Sequence, residues 1–267
     1  MQTFLPFPDF GRSAAALDPS RLGKQRVESL QILRALVIPD YGWQSHPAVR
    51  MWMGHVPALA LYGVAMADEW IRRGSRDSTR ANILEFAPGI ARGEHVCMPP
   101  WFGEPELHRS HRSNLIRKDP GFYGARFPED TEGLEYVWPE PERTVLPAEP
   151  GPGRVWILRM PVAEGELDPG RPAHISLPRN APGSRRSPKR QRQVHAFVSG
   201  LAEGETVAVP LDQGGRFVQT TVTGPAREPE PGTLTRPVQV EGVRDRASFG
   251  YPALLQDPRL FFAVPGP

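Results

Sequence analysis

Between residues 139 and 153 the chain reads Pro-Glu-Pro-Glu-Arg-Thr-Val-Leu-Pro-Ala-Glu-Pro-Gly-Pro-Gly. Proline fixes φ and removes a backbone donor, so neither a helix nor a central strand runs through such a stretch. Polar, proline-rich and without periodicity, it has the composition of a linker. A chain so interrupted folds as two bodies, and the patterning differs on the two sides. Residues 1–138 carry helical periodicity, residues 154–267 carry short β-branched runs, and no internal repeat relates them. The expected architecture is α+β in two domains: an all-helical first domain and a small, mostly-β barrel.

The most informative helix of the first domain begins at Arg21-Leu22-Gly23-Lys24-Gln25-Arg26-Val27-Glu28 and continues through Leu33. Asp18-Pro19-Ser20 opens it as a cap with proline just inside, and Pro39 closes it. At about 100° per residue, Leu22, Leu30, Leu33 and Val37 share one face, with Arg21, Lys24, Glu28 and Gln31 opposite. Arg26 projects from the middle of the apolar face. A buried guanidinium needs a carboxylate, carbonyls or a ligand phosphate. Glu28 stands alone as an acid between Lys24 and Gln31. The helix is either a core element with one awkward arginine or the floor of a site.

Composition excludes several classes. Hydrophobic residues make up 39% and charged residues 23% of the 267, as in a soluble globular protein. No apolar run approaches the ~20 residues of a membrane span, and Met-Gln-Thr-Phe-Leu-Pro does not read as a signal peptide. The lone Cys97 rules out an internal disulfide framework or a cysteine zinc cluster, consistent with a reducing cytoplasm. Net charge is only +2, so gross electrostatics declares no nucleic-acid partner. The stretch 171–195 nevertheless holds Arg171, Arg179, Arg185, Arg186, Lys189, Arg190 and Arg192 without an acid. It is a solvated loop or a phosphate-tracking one.

Taken in order, residues 1–10 are extended and apolar, and Pro6 and Pro8 forbid a helix. His46-Pro47 starts a short helix that carries Arg50, Trp52 and His55, and a longer one follows over 57–73. The helix over 104–118 puts His108, His111, Arg112 and Leu115 on one face and closes on Arg117-Lys118. Two histidines at that spacing can share a metal ion, although no third ligand is apparent; with arginine and lysine beside them they also suit phosphate oxygens. A partly exposed polar helix face is the plain alternative. Beyond the linker, strands are expected at 155–159, 206–210, 217–222 and 237–241, with a hairpin turn at Gln213-Gly214-Gly215 and one helix over 189–201.

As an ordered set, these motifs resemble the pyrimidine-dimer DNA glycosylase family of the phage endonuclease V type. They are the short lead into Arg21–Glu28, then His46-Pro47-Ala48-Val49-Arg50-Met51-Trp52-Met53-Gly54. Glu69-Trp70-Ile71-Arg72-Arg73-Gly74 follows, then Leu107–Ser113 running into Leu115–Tyr123. The resemblance spans about residues 1–138. It implies a helical fold that flips a nucleotide out of duplex DNA and cleaves its glycosidic bond without a cofactor. The nucleophile implied is the chain's own α-amine, on Met1 or, after removal of Met1, on Gln2. An ordinary α-amine titrates near pH ~8, so a useful fraction is unprotonated at neutrality. Glu28 becomes the carboxylate that stabilises the developing cationic sugar and assists proton transfer. Arg26 becomes a phosphate ligand. Lys24, His46, Arg50, His108, His111, Arg112, Arg117, Lys118 and Tyr123 complete the implied DNA-binding set.

The second domain resembles, more faintly, the PUA/EVE-type barrels. Val155–Arg159, Gln193–Val198 leading into Gly204–Pro210, Val222–Pro225, Thr235–Val240 and Phe249…Leu255 carry the likeness. Such barrels hold a flipped, modified base, which implies Trp156 for stacking and Arg236 for a polar contact. Together the two resemblances imply a cytoplasmic glycosylase and AP lyase acting on double-stranded DNA that bears a damaged or modified base. A non-catalytic reader of modified DNA or RNA is the alternative. A metal-dependent hydrolase built on His108 and His111 is a third.

Overall fold

The computed structural model describes residues 1–38, 41–141, 153–163, 165–179, 187–264 and 266. The chain divides into two compact units, Met1–Leu146 and Pro147–Pro267. Most of the proline-rich linker, and Arg185 and Arg186 of the basic stretch, lie outside the described residues.

The first unit is helical: α1 (Phe10–Ala16), α2 (Pro19–Val37), α3 (Pro47–Arg50), α4 (Val56–Arg72), α5 (Thr79–Leu84), α6 (Pro88–Ala91), α7 (Pro105–Lys118) and α8 (Pro120–Tyr123). Helix α2 starts where the sequence places its cap. One Asp18 carboxylate oxygen accepts from the N–H groups of Ser20 and Arg21 at 2.9 and 3.1 Å, satisfying donors that a helix start otherwise leaves unpaired. The other oxygen takes the Tyr123 hydroxyl and, at 2.6 Å, the Arg21 guanidinium. Burial pushes the Asp18 carboxyl up, but its bonds to Tyr123 and Arg21 hold it below the usual range.

Leu22, Leu30, Leu33 and Val37 are buried as their spacing demands, yet Gln25 and Ser29 are buried with them. Here α2 meets α4 at close range. A Cβ on Gly63 would lie 3.0 Å from the Ser29 Cβ and 3.1 Å from Ile83, so any larger residue would push these neighbours back. At the C-terminus of α1, Arg73 donates to the carbonyls of Leu17, Ala14 and Ala15. Its own charge is met by the buried Glu69 at 2.7 Å. Trp52, Tyr62, Phe10 and Trp101 form an aromatic cluster with edge-to-face and tilted ring pairs. That segment differs from a plain extended lead, because helix α1 begins at Phe10 directly after Pro8-Asp9, with Asp9 as its cap.

The second unit is one 7-stranded sheet of order β2-β6-β4-β3-β1-β7, with β5 also on β6. Its strands are β1 (Val155–Leu158), β2 (Ala173–Pro178), β3 (Thr206–Leu211), β4 (Arg216–Val222), β5 (Arg227–Glu230), β6 (Thr233–Asp245) and β7 (Phe261–Val264). The sheet curls as half a barrel whose ends are β2 and β7. Strand β1 runs parallel to β3; the other pairs are antiparallel. The register shifts between Gln219 and Thr220, where β6 carries one extra residue, Glu241, beside Gly242 at φ 138°, and the strand pair bends there. The expected helix is α9 (Pro188–His195), which continues as a π-turn over Ala196–Gly200. Trp156, Phe197, Phe261, Val207, Val209 and Val218 belong to the core it covers.

Candidate active site

The first residues of the chain are threaded through the helical unit, and side chains replace the partners a sheet would give them. Gln2 N–H donates to Glu28 Oε2 at 3.1 Å. Thr3 N–H donates to the Gln2 side-chain oxygen at 3.0 Å, and Phe4 N–H to Gln25 Oε1 at 3.1 Å. Leu5 N–H donates to His111 Nδ1 at 3.1 Å. The carbonyls are met as well. Phe4 O accepts from the Tyr62 hydroxyl at 3.1 Å, Leu5 O from His108 Nδ1 at 2.7 Å and Pro6 O from Arg112 at 2.9 Å. Buried backbone that lacks such partners is costly, so this polar scaffold is what allows a chain terminus to lie inside the unit.

The terminus ends beside one acid. The Met1 α-amine lies 4.0 Å from Glu28 Oε1, and Glu28 Oε2 also accepts from Gln25 Nε2 at 2.9 Å. Gln25 thereby ties together Phe4, Glu28 and the Tyr62 hydroxyl. Around the amine opens a cleft of ≈ 450 Å³, walled by Met1, Gln2, Phe4, Ser20, Arg21, Lys24, Gln25, Glu28, His46, Lys118, Tyr136 and Trp138. It brings an amine and a carboxylate together with the cationic side chains of Arg21, Lys24 and Lys118 and the rings of Tyr136 and Trp138. His46 caps α3 by accepting Ala48 N–H on Nδ1 at 3.1 Å, which leaves the proton of its neutral ring on Nε2. Burial, and then the nearby amine, push the His46 imidazole below its ordinary value.

Of the residues expected to act here, Met1, Gln2, Glu28, Lys24, His46 and Lys118 come together in this cleft. Others do not. Arg26 is met by the fully buried Asp77 and lies over the Trp70 ring, its guanidinium carbon 4.6 Å from the centroid. The carboxylate, and not a phosphate, answers its need. Arg50 pairs with Glu140 at 2.6 Å on the surface, and Arg112 with Asp130 at 2.5 Å. Arg117 is exposed and bonded to Asn114 Oδ1 at 2.7 Å. Tyr123 is buried on Asp18. His108 and His111 are buried and engaged with Leu5, and neither lines the cleft. Among the described residues no three histidine, cysteine, aspartate or glutamate side chains are grouped as metal ligands.

In the second unit the residues expected to read a base, Trp156 and Arg236, are both buried. Trp156 is 5% exposed, stacked on Phe261 at 4.6 Å and donating to Glu205 at 2.9 Å. Arg236 is 4% exposed, its guanidinium donating to the carbonyls of Gly224, Phe197 and Leu201. Both are parts of the core that hold the sheet to the π-turn.

Several site residues were not anticipated. Gln25 sits three residues before Glu28, a spacing that places both on one side of α2. Tyr136 and Trp138 alternate in an extended stretch, so both rings face the same way. Tyr62 gave no signal, since a tyrosine on an apolar helix reads as core.

Against known proteins, residues 1–82 match the family model of pyrimidine dimer DNA glycosylases. The match covers α1 to α4 and the start of α5, and with them Met1, Gln2, Lys24, Gln25, Glu28 and His46. No curated protein and no solved structure matches the chain. Among the described residues no helix is long and apolar enough to cross a membrane.

Proposed function

We propose that the helical unit is a DNA glycosylase with AP lyase activity, acting on damaged or modified pyrimidines in double-stranded DNA. The observation that carries this reading is the Met1 α-amine held 4.0 Å from Glu28 inside an open cleft. The family match over residues 1–82 supports the substrate class.

In this reading the target nucleotide leaves the stack, at a cost that is smallest for damaged sites, and its C1′ meets the amine. The nitrogen lone pair forms the new bond to C1′ as the glycosidic bond breaks. Its electrons leave with the base, which takes up a proton. Loss of the amine protons and opening of the C1′–O4′ bond give an imine. Removal of a C2′ proton then expels the 3′ phosphate and cuts the strand. Glu28 sits where it can stabilise the cationic sugar and relay those protons. Lys24 and Lys118 neutralise flanking phosphates. Gln2–Leu5, each tied to a fixed side chain, keep the amine in place, which lowers the entropy cost of attack.

The second unit we read as a PUA/EVE-like base-binding module, on domain limits of 1–138 and 154–267 with a linker between. Tethering raises the effective concentration of each module on the same DNA. A cytoplasmic protein working on nucleoid DNA fits both.

Borohydride reduction with abasic, thymine-dimer and modified-pyrimidine duplexes tests the chemistry. A covalent adduct mapped by mass spectrometry to the N-terminal peptide is expected. Lesion-selective binding with neither adduct nor cleavage would establish the non-catalytic reader instead.

A further inference from the structure

Trp43 lies in the loop between α2 and α3 and is 63% exposed. Among the described residues no other aromatic side chain is exposed. Its backbone has φ 76°, in the left-handed region that a bulky residue rarely enters. The loop around it is tied down. The Gln44 side chain donates to the carbonyls of Ala35 and Ile38 at 3.2 and 2.7 Å, and His46 N–H donates to the Trp43 carbonyl at 2.9 Å. Such anchoring holds a strained residue outward where glycine would serve the turn more easily.

The ring is also aligned with the cleft. Trp43 meets His46 edge-to-face at 6.0 Å, and His46 meets Trp138 in the same manner at 6.2 Å. His46 and Trp138 both line the cleft that holds Met1 and Glu28. A ladder of rings thus runs from solvent to the cleft, with its outer rung largely exposed.

We propose that Trp43 is a stacking wedge. It enters the duplex beside the target nucleotide, stacks on the neighbouring base and fills the space left when the nucleotide turns toward Met1. This rests on the glycosylase reading above. Lys24 and Lys118 hold the backbone from within the cleft, while Trp43 acts on the base stack from its rim. An exposed aromatic beside a basic cleft suits nucleic acid, since apolar wedges unstack base steps and every base offers a π-face.

The test compares wild type, Trp43→Gly and Trp43→Phe in borohydride trapping on an abasic site, in duplex and in single-stranded DNA of the same sequence. A 2-aminopurine beside the site reports unstacking. Trp43→Gly should lower the duplex trapping rate about five- to hundred-fold, the span of one base–aromatic stack. It should lower the single-strand rate much less, blunt the 2-aminopurine signal and leave Tm unchanged or higher, since glycine relieves the positive φ. Trp43→Phe should recover part of the duplex rate. Equal loss on both DNAs with a fallen Tm would make Trp43 a structural residue and overturn the proposal, as would a variant equal to wild type on duplex. Failure of wild type to trap either DNA would instead remove the glycosylase reading, and the wedge with it.

Discussion

His108 and His111 grip the two backbone groups of one residue in opposite senses. A carbonyl can only accept, so His108, 2.7 Å from Leu5 O, carries its proton on Nδ1. An amide N–H can only donate, so His111 presents a bare Nδ1 to Leu5 N at 3.1 Å. The two neutral tautomers are therefore set by a single residue of the N-terminal segment; a second proton on His111 would remove the acceptor for Leu5 N–H, whereas His108 keeps its Nδ1 donor.

This gives a pH dependence with a definite sign. Burial, and then the neighbouring His108, push the His111 imidazole down to about 3. Burial also lowers His108, against the opposing bond from Leu5. Unfolded imidazoles titrate near ~6.5 and bind protons that the folded ones refuse, so stability is full above that pH and declines as pH falls through the window toward 3. The expected slope is up to about 1.4 kcal/mol per pH unit for each histidine. Denaturant unfolding at about pH 7, 6 and 5 checks it. His111→Gln, whose amide oxygen still accepts Leu5 N–H, should flatten the slope.

Gln25→Leu should separate placement of the amine from DNA binding. The change strips an acceptor from Phe4 N–H and a donor from Glu28, at about 1–3 kcal/mol for a buried group left unpaired. The expected result is a lower Tm and a trapping rate reduced well beyond any change in affinity for abasic duplex.

The cations divide by their partners. Lys24→Gln and Lys118→Gln should each reduce the slope of log affinity against log salt by about 0.9, since both side chains line the cleft. Arg26→Gln should leave that slope unchanged. It should instead cost about 1–3 kcal/mol of stability, because the buried Asp77 carboxylate loses its cationic partner and keeps only the donors of Thr79 and Arg80. Salt titrations of binding alongside thermal melts distinguish the two classes.

Arg236→Met should unsettle the second unit without altering which base is preferred. Three carbonyls, of Gly224, Phe197 and Leu201, lose their donor, and unpaired buried acceptors cost about 1–3 kcal/mol each. Calorimetry should show a lowered transition. A shift in lesion preference with an unchanged Tm would restore Arg236 to a recognition role.

Periodicity and caps carried the helices well: Asp18-Pro19 marks the start of α2, and the His46-Pro47 and Glu104–Lys118 motifs lie on α3 and α7. Glu28 was legible as the lone acid on its face and does meet the amine. What sequence spacing could not supply was partnership across long separations. Arg26 meets an acid 51 residues away, and no local pattern distinguishes that from a phosphate. The histidines of α7 read as a ligand face because polar residues on a helix usually point outward. Here they turn inward, since an extended terminal segment needs side-chain partners for its amides. Strands β2, β5 and β7 escaped because β2 lies inside the basic stretch, β5 is exposed and polar throughout, and β7 is a buried apolar run of four residues without alternation. Trp156 and Arg236 were plausible base contacts by residue type, but type does not report burial.

The threading of residues 1–5 makes the front of the chain wait for its middle. Leu5 is secured by a histidine 106 positions later, so ribosomal synthesis must deliver α7 before the clasp on Leu5 can close, although Glu28, Gln25 and Tyr62, the partners of Gln2 and Phe4, come earlier. Until then the terminal segment is held only by α2 and α4, through Glu28, Gln25 and Tyr62. Full reactivity, on the proposed chemistry, therefore arrives only with completion of the helical unit, and the docking of the first residues serves as its own certificate of correct folding.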